Sequence, residues 1–176
     1  MTERHPTKQN EAFVIRHITH NDIESLTRNF APYNKKQEMY ERLWREHELG
    51  KRVTVVAITG QEAVGYTNLL WQSSYEPFRE NDIPEIHNMH VIDEHQQQGI
   101  GTALIKEAER ITTDHNKKTI GIGVDIRAKK NTIAQRLYEK LGYKPDERGP
   151  SPAGDILFLT KALPKSVQTA PTDPKQ

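Results

Sequence analysis

The chain has no cysteine among its 176 residues. That excludes disulfides, thiolate metal ligands and a cysteine nucleophile, so any acyl chemistry must use another nucleophile or transfer the group directly. An excess of charge is missing too. The 25 lysines and arginines face 24 aspartates and glutamates, a formal net charge of +1, which argues against a dedicated nucleic-acid surface. No apolar run approaches the roughly 20 residues that span a bilayer, and the start, Met1-Thr2-Glu3-Arg4-His5-Pro6, lacks the hydrophobic region of a signal peptide. The expectation is a soluble, cytoplasmic protein with neither membrane nor nucleic-acid partner, and the lack of cysteine fits a reducing compartment.

What is present suits one globular domain. A content of 34% hydrophobic and 28% charged residues is polar but foldable, and the length is enough for a proper core. Residues 1–11 are polar and read as a flexible N-terminus, 12–163 as a single domain, and 164–176, with Pro164, Pro171 and Pro174 and almost nothing to bury, as a disordered tail. Ala12 to Ile18 has the content of a first strand, and Asn21-Asp22 offers a cap for a helix carrying Ile23 and Leu26. A second helix is expected from about Lys35 to Leu49, stopped by Gly50. Val53–Ile58 and Ala63–Trp71 flank Gly60-Gln61-Glu62 as a hairpin. Ser73 to Asp82 reads as a loop, Glu85–Ile92 as a fourth strand, and Thr119–Val124 as a fifth. A helix capped by Asn131 and closed by Gly142 precedes a last strand from Asp155 to Thr160.

Between the fourth and fifth strands lies Gln96-Gln97-Gln98-Gly99-Ile100-Gly101, followed by apolar residues at helical spacing: Ile100, Leu104, Ala108 and Ile111. A glycine turn that opens a helix presents unpartnered N–H groups and partial positive charge, which favours a phosphate or pyrophosphate. Two common phosphate motifs fail here. Leu104 occupies the third glycine position of a dinucleotide fingerprint, and no Gly-Lys-Ser/Thr follows for a P-loop. The element order predicts an α/β (α+β) protein with a mixed sheet and helices on both faces, not a doubly wound sheet.

Gln96 to Gly101 resembles the Q/R-x-x-G-x-G/A motif of the GNAT superfamily of acyl-CoA-dependent N-acyltransferases. Asn131-Thr132-Ile133-Ala134-Gln135-Arg136-Leu137-Tyr138 through Gly142-Tyr143 is similar to the same family's N-x-x-A-x-x-x-Y-x-x-x-G-F/Y segment. Asp93 stands where a proline is common, and Gln97 where a glycine often follows an arginine. The resemblance implies a mostly antiparallel central sheet with splayed parallel strands four and five, and acetyl-CoA as acyl-donor cosubstrate. By position, Met89, His90 and Val91 would meet the pantetheine arm. Gln96, Gln97, Gln98, Gly99, Ile100, Gly101 and Thr102 would wrap the pyrophosphate, and Asn131 would contact the cofactor further along.

The same resemblance implies roles for side chains. Glu85 lies where family members carry a general-base glutamate, with His87 in reserve; the plainer alternative is a strand-edge carboxylate paired with a lysine. Tyr138 matches the tyrosine that protonates the CoA thiolate, and its alternative is a core aromatic. A metal shared by His87 and His90 is not expected, because strand alternation puts them on opposite faces. Aromatic and acidic residues in Ser73–Asp82 suggest a small cationic amine as acceptor. A protein amino group is the alternative acceptor, a CoA-binding regulatory module the alternative function, and the family's frequent dimers imply a homodimer.

Overall fold

The computed structural model describes residues 12–127, 131–151 and 153–164. The chain divides into two compact units, one running through Leu70 and resuming at Ile86–Glu107, the other made of Trp71–Glu85 and the chain from Ala108 onward.

In the first unit, β1 (Phe13–His17), β2 (Arg52–Thr59), β3 (Glu62–Leu70) and β4 (Glu85–Val91, all but Glu85 in this unit) are neighbours in that order. β1 pairs antiparallel with β2 from Phe13 opposite Thr59 to His17 opposite Val55. The β2–β3 hairpin turns at Gly60, whose φ of +60° is the conformation tight hairpins require. Its register slips at Ala57/Ile58, so that Val64 is the extra residue, and Val64 O accepts the Ile92 N–H at 3.0 Å.

Helix α1 (Asp22–Asn29) lacks the side-chain cap expected from Asn21. Its start is closed by Thr19 and Asp22 instead. The Thr19 N–H donates to Asp22 Oδ2 at 2.7 Å and the Asp22 N–H to Thr19 O at 3.1 Å, while Arg16 holds the same carboxylate through two bonds. Asn21 does not cap because its own backbone is already helical, at φ −65° and ψ −17°, whereas a capping side chain needs a non-helical residue. Helix α2 (Gln37–Glu48) begins two residues later than its pattern suggests, because Lys36 is extended; Gly50, at φ +67°, ends it with its N–H on His47 O. The two helices bury Ile23, Leu26, Tyr40 and Leu43 with Phe30, Val56 and Tyr66, each side chain contributing about 1.5–3 kcal/mol.

The second unit holds β5 (Thr119–Asp125), β7 (Ile156–Ala162) and the two-residue β6 (Lys144–Pro145), ordered β5-β7-β6 with both pairings antiparallel. Helix α5 is Asn131–Lys140, and the chain leaves it through Gly142 at φ +90°. The stretch expected to be a loop contains a short helix, α3 (Glu76–Glu80). Pro77 is tolerated because it falls in the first turn, where no N–H is needed. Around it Tyr75, Phe78, Ile83 and Phe158 form a core, with Tyr75 stacked on Phe158. Helix α4 (Ile100–Asp114) contributes its first half to the first unit and its last to the second.

Candidate active site

The glycine turn belongs to the first unit. A 3-10 turn at Asp93–His95 leads into it, and Gln97 (φ +62°) and Gly99 (φ +86°) are both left-handed. A Cβ on Gly99 would meet nothing within 4 Å, so the residue is needed for its backbone shape. Ala103 N–H donates to Gly99 O at 3.0 Å; among the described residues no backbone carbonyl outside α4 accepts from the N–H groups of residues 97–102. They form the positive end of α4, as a phosphate group requires.

The Gln96 side chain is engaged within the turn. Its Nε2 donates to Val91 O at 3.0 Å and to Asp93 Oδ1 at 2.9 Å, so both amide hydrogens brace the turn. Asp93, the departure from a common proline, supplies one acceptor of that brace, and its N–H donates to Tyr33 Oη at 3.0 Å. Gln98 Nε2 likewise donates to Glu94 O. Across β3, Gly65 leaves room for this region: a Cβ there would lie 3.2 Å from His90 O and 3.2 Å from Ile100 Cγ2.

Met89, His90 and Val91 are half-buried on β4. Asn88 before them has φ +53°, which interrupts the strand alternation behind the expectation that His87 and His90 oppose each other. The His90 ring stacks on Tyr66 at 5.9 Å and meets Tyr33 edge-on. Burial, with the positive charges of Arg52 and Lys35, holds His87 below the ordinary histidine value, and its Nδ1 is buried with no hydrogen-bond partner among the described residues. No group of three or more His, Asp or Glu side chains placed to hold a metal occurs among the described residues.

Glu85 and Tyr138 lie in the second unit. Glu85 is 5% exposed. Burial pushes its carboxyl above the usual range, opposed by a hydrogen bond from Ser73; Ser73 Oγ lies 2.5 Å from Glu85 Oε2. No lysine or arginine pairs with it among the described residues, so it is not the strand-edge ion pair of the plainer alternative. Its other oxygen, Oε1, faces Gly123 on β5, where an added Cβ would stand 3.5 Å away. Ser73 was not singled out in the sequence; one serine in a polar loop gives no signal until folding brings it to a buried carboxylate.

Tyr138 is buried and packs edge-on against Tyr143 at 5.9 Å. Burial raises its phenol far above the ordinary value, so it is neutral at any physiological pH. The backbone of Asn131 begins α5, while its side chain lies outside the described residues. In Ser73–Asp82, Tyr75 and Phe78 are core residues, not an aromatic wall for a cation; Asp82 is paired with Lys117 and Glu76 lies 3.9 Å from Arg79, while Glu76 and Glu80 are both exposed. A groove of about 670 Å³ along β6 and β7, beside Lys144, Arg148 and Lys161, includes none of the expected site residues.

Residues 20–143 match the acetyltransferase (GNAT) family, and the chain belongs to it. An uncharacterized N-acetyltransferase of Methanocaldococcus jannaschii is 26% identical over 150 residues, 78% of this chain and 63% of that protein. The match thus spans less than two thirds of the relative's length. Among solved structures, an aminoglycoside 6'-N-acetyltransferase complexed with coenzyme A has a TM-score of 0.63 at 20% identity, covering 86% of this chain and 98% of that one. Arabidopsis thaliana NAA60 in complex with a bisubstrate analogue has a TM-score of 0.67 at 16% identity, covering 88% and 100%. These likenesses show the fold class expected from the sequence, a mixed α/β protein with a mostly antiparallel sheet.

Proposed function

We propose that the protein is an N-acetyltransferase that moves an acetyl group from acetyl-CoA directly to a primary amine of a small cationic molecule. The observation that carries the chemistry is a buried carboxylate, Glu85, with no cationic partner among the described residues and a pKa raised by burial. Such a group is suited to take a proton from an ammonium near neutral pH. The donor's pyrophosphate suits the N–H groups at the start of α4, where Gly99 and the brace made by Gln96 keep the turn open. The strand N–H groups of residues 89–91 and the Asn131 side chain are assigned to the rest of the cofactor on the family motif.

In this reading Glu85 accepts the amine's proton, the free amine attacks the thioester carbonyl, and a β4 N–H near Met89 to Val91 stabilises the oxyanion. Tyr138 serves the departing thiolate. A thiol titrates near ~8.5 and a tyrosine near ~10, and burial raises Tyr138 further. Tyr138 therefore acts as a hydrogen-bond donor to the developing charge, and as the adduct collapses and its C–S bond breaks, the proton that the attacking nitrogen sheds goes to the departing sulfur. Exposed Glu80 supports a cationic acceptor; Glu76 already lies beside Arg79, and the burial of Tyr75 and Phe78 removes the aromatic part of that support.

The test is thiol release from acetyl-CoA across polyamines, aminoglycosides and peptides with free amino groups. Turnover with the small amines alone supports the proposal, and preference for peptides moves the acceptor to a protein amino group. CoA binding without release on any amine would leave a regulatory CoA-binding module.

A further inference from the structure

We infer that Ser73 is a positioning residue for Glu85, fixing which carboxylate oxygen receives the proton and holding the group ionised inside the protein. Ser73 is 2% exposed. Its Oγ accepts the Tyr75 N–H at 2.9 Å, and its single hydroxyl proton is directed to Glu85 Oε2 at 2.5 Å. A hydroxyl anchored by a backbone donor has one proton to give, and a carboxylate is the form of Glu85 best placed to receive it. With Oε2 engaged, the other oxygen, Oε1, lies on the side of Gly123 on β5, where an added Cβ would stand 3.5 Å from it and press on Ile156 and Phe158. The Ser73 carbonyl is itself held, with Arg79 Nη1 at 3.4 Å.

The groups around this pair leave Ser73 as the principal polar influence. On the neighbouring segment, Tyr75 sends its hydroxyl to Gly149 O and Arg79 its guanidinium to backbone carbonyls. On β5, Asp125 is engaged by Arg127. β7 brings Ile156 and Phe158 beside Gly123. Burial and the Ser73 hydroxyl act on Glu85 in opposite directions, so removing the hydroxyl leaves burial unopposed.

The consequence for turnover rests on Glu85 being the base, but the coupling can be read without activity. In full-length protein carrying carboxyl-¹³C glutamate, the Glu85 resonance is assigned by its loss in Glu85→Gln and followed against pH. Ser73→Ala should raise its midpoint by about one unit, the size expected for a hydrogen bond to a charged group. Ser73→Thr, which keeps the hydroxyl, should restore it, and the acidic limb of kcat/KM should move with the midpoint. An unchanged midpoint in Ser73→Ala overturns the inference whatever Glu85 does. A raised midpoint with a pH–rate profile untouched by Glu85→Gln supports the coupling and removes Glu85 as base. Should Ser73→Ala fail to fold, Ser73→Cys, a near-isostere with a weak donor, carries the same measurement: a rise supports the inference and none overturns it.

Discussion

Glu85 and Tyr138 are two ionisable groups that burial pushes in the same direction, with different outcomes. For the carboxyl the shift brings its titration towards neutrality; for the phenol it takes the proton out of reach. In the proposed role Glu85 acts in its ionised form, so the rate should fall as pH drops through its raised pKa, above the ordinary carboxylate value near ~4.3. Glu85→Gln should lower kcat/KM by about a hundredfold and abolish that acidic limb, both read from pH–rate profiles. Tyr138→Phe should lower kcat by about tenfold, the loss of one hydrogen bond to developing charge, with acetyl-CoA affinity by calorimetry nearly unchanged. The sequence made these two residues visible because each sits at a fixed distance from a motif. It could not show that Glu85 has a serine partner, or that Gln96 spends its amide on Val91 and Asp93, since side-chain partners are chosen by folding.

At the scale of elements, two glycines do different work. Gly99 is needed for its left-handed backbone in the turn before α4, where an alanine would find open space but pay for its φ of +86°. Gly99→Ala should weaken CoA binding by about tenfold, following the ~1–2 kcal/mol left-handed penalty, as calorimetric titration would read it. Gly121 is needed for its lack of volume: on β5 an added Cβ would lie 2.2 Å from the Phe78 ring of α3. Gly121→Ala should cost about 1–3 kcal/mol of stability by overpacking, measured by urea unfolding, and trimming the ring in a Gly121→Ala, Phe78→Leu double variant should recover part of it. The helices and strands themselves were readable from periodicity, with ends shifted by a few residues. At Asn21 and over Ser73–Asp82 the structure departs from the sequence expectation for local reasons: Asn21 is itself helical and so cannot cap, and Pro77 falls where a helix start accepts it.

At the scale of the whole molecule, stability should depend on pH through a histidine far from the glycine turn in sequence. His47 on α2 accepts the Thr54 N–H on Nδ1 at 3.3 Å and meets His17 of β1 edge-on at 5.1 Å. Burial, then the neighbouring His17, holds His47 below its ordinary value. The unfolded chain therefore binds its proton more readily than the folded one, and the contribution of this site, present above the unfolded pKa near ~6.5, is lost as pH falls through the folded value. Urea midpoints should drop between pH 8 and pH 5.5 in the wild type, and His47→Gln should drop by less. The sequence by itself determined the family, the order of the longer strands and helices and the glycine turn, because motif spacing and apolar periodicity are local properties of a chain. Tertiary structure alone decided that Tyr75 and Phe78 are core residues rather than an acceptor wall, that Asn88 breaks the alternation of β4, and that a loop serine meets a buried glutamate. Those are choices among partners distant in sequence, and burial in the folded chain is what makes one partner cheaper than the rest.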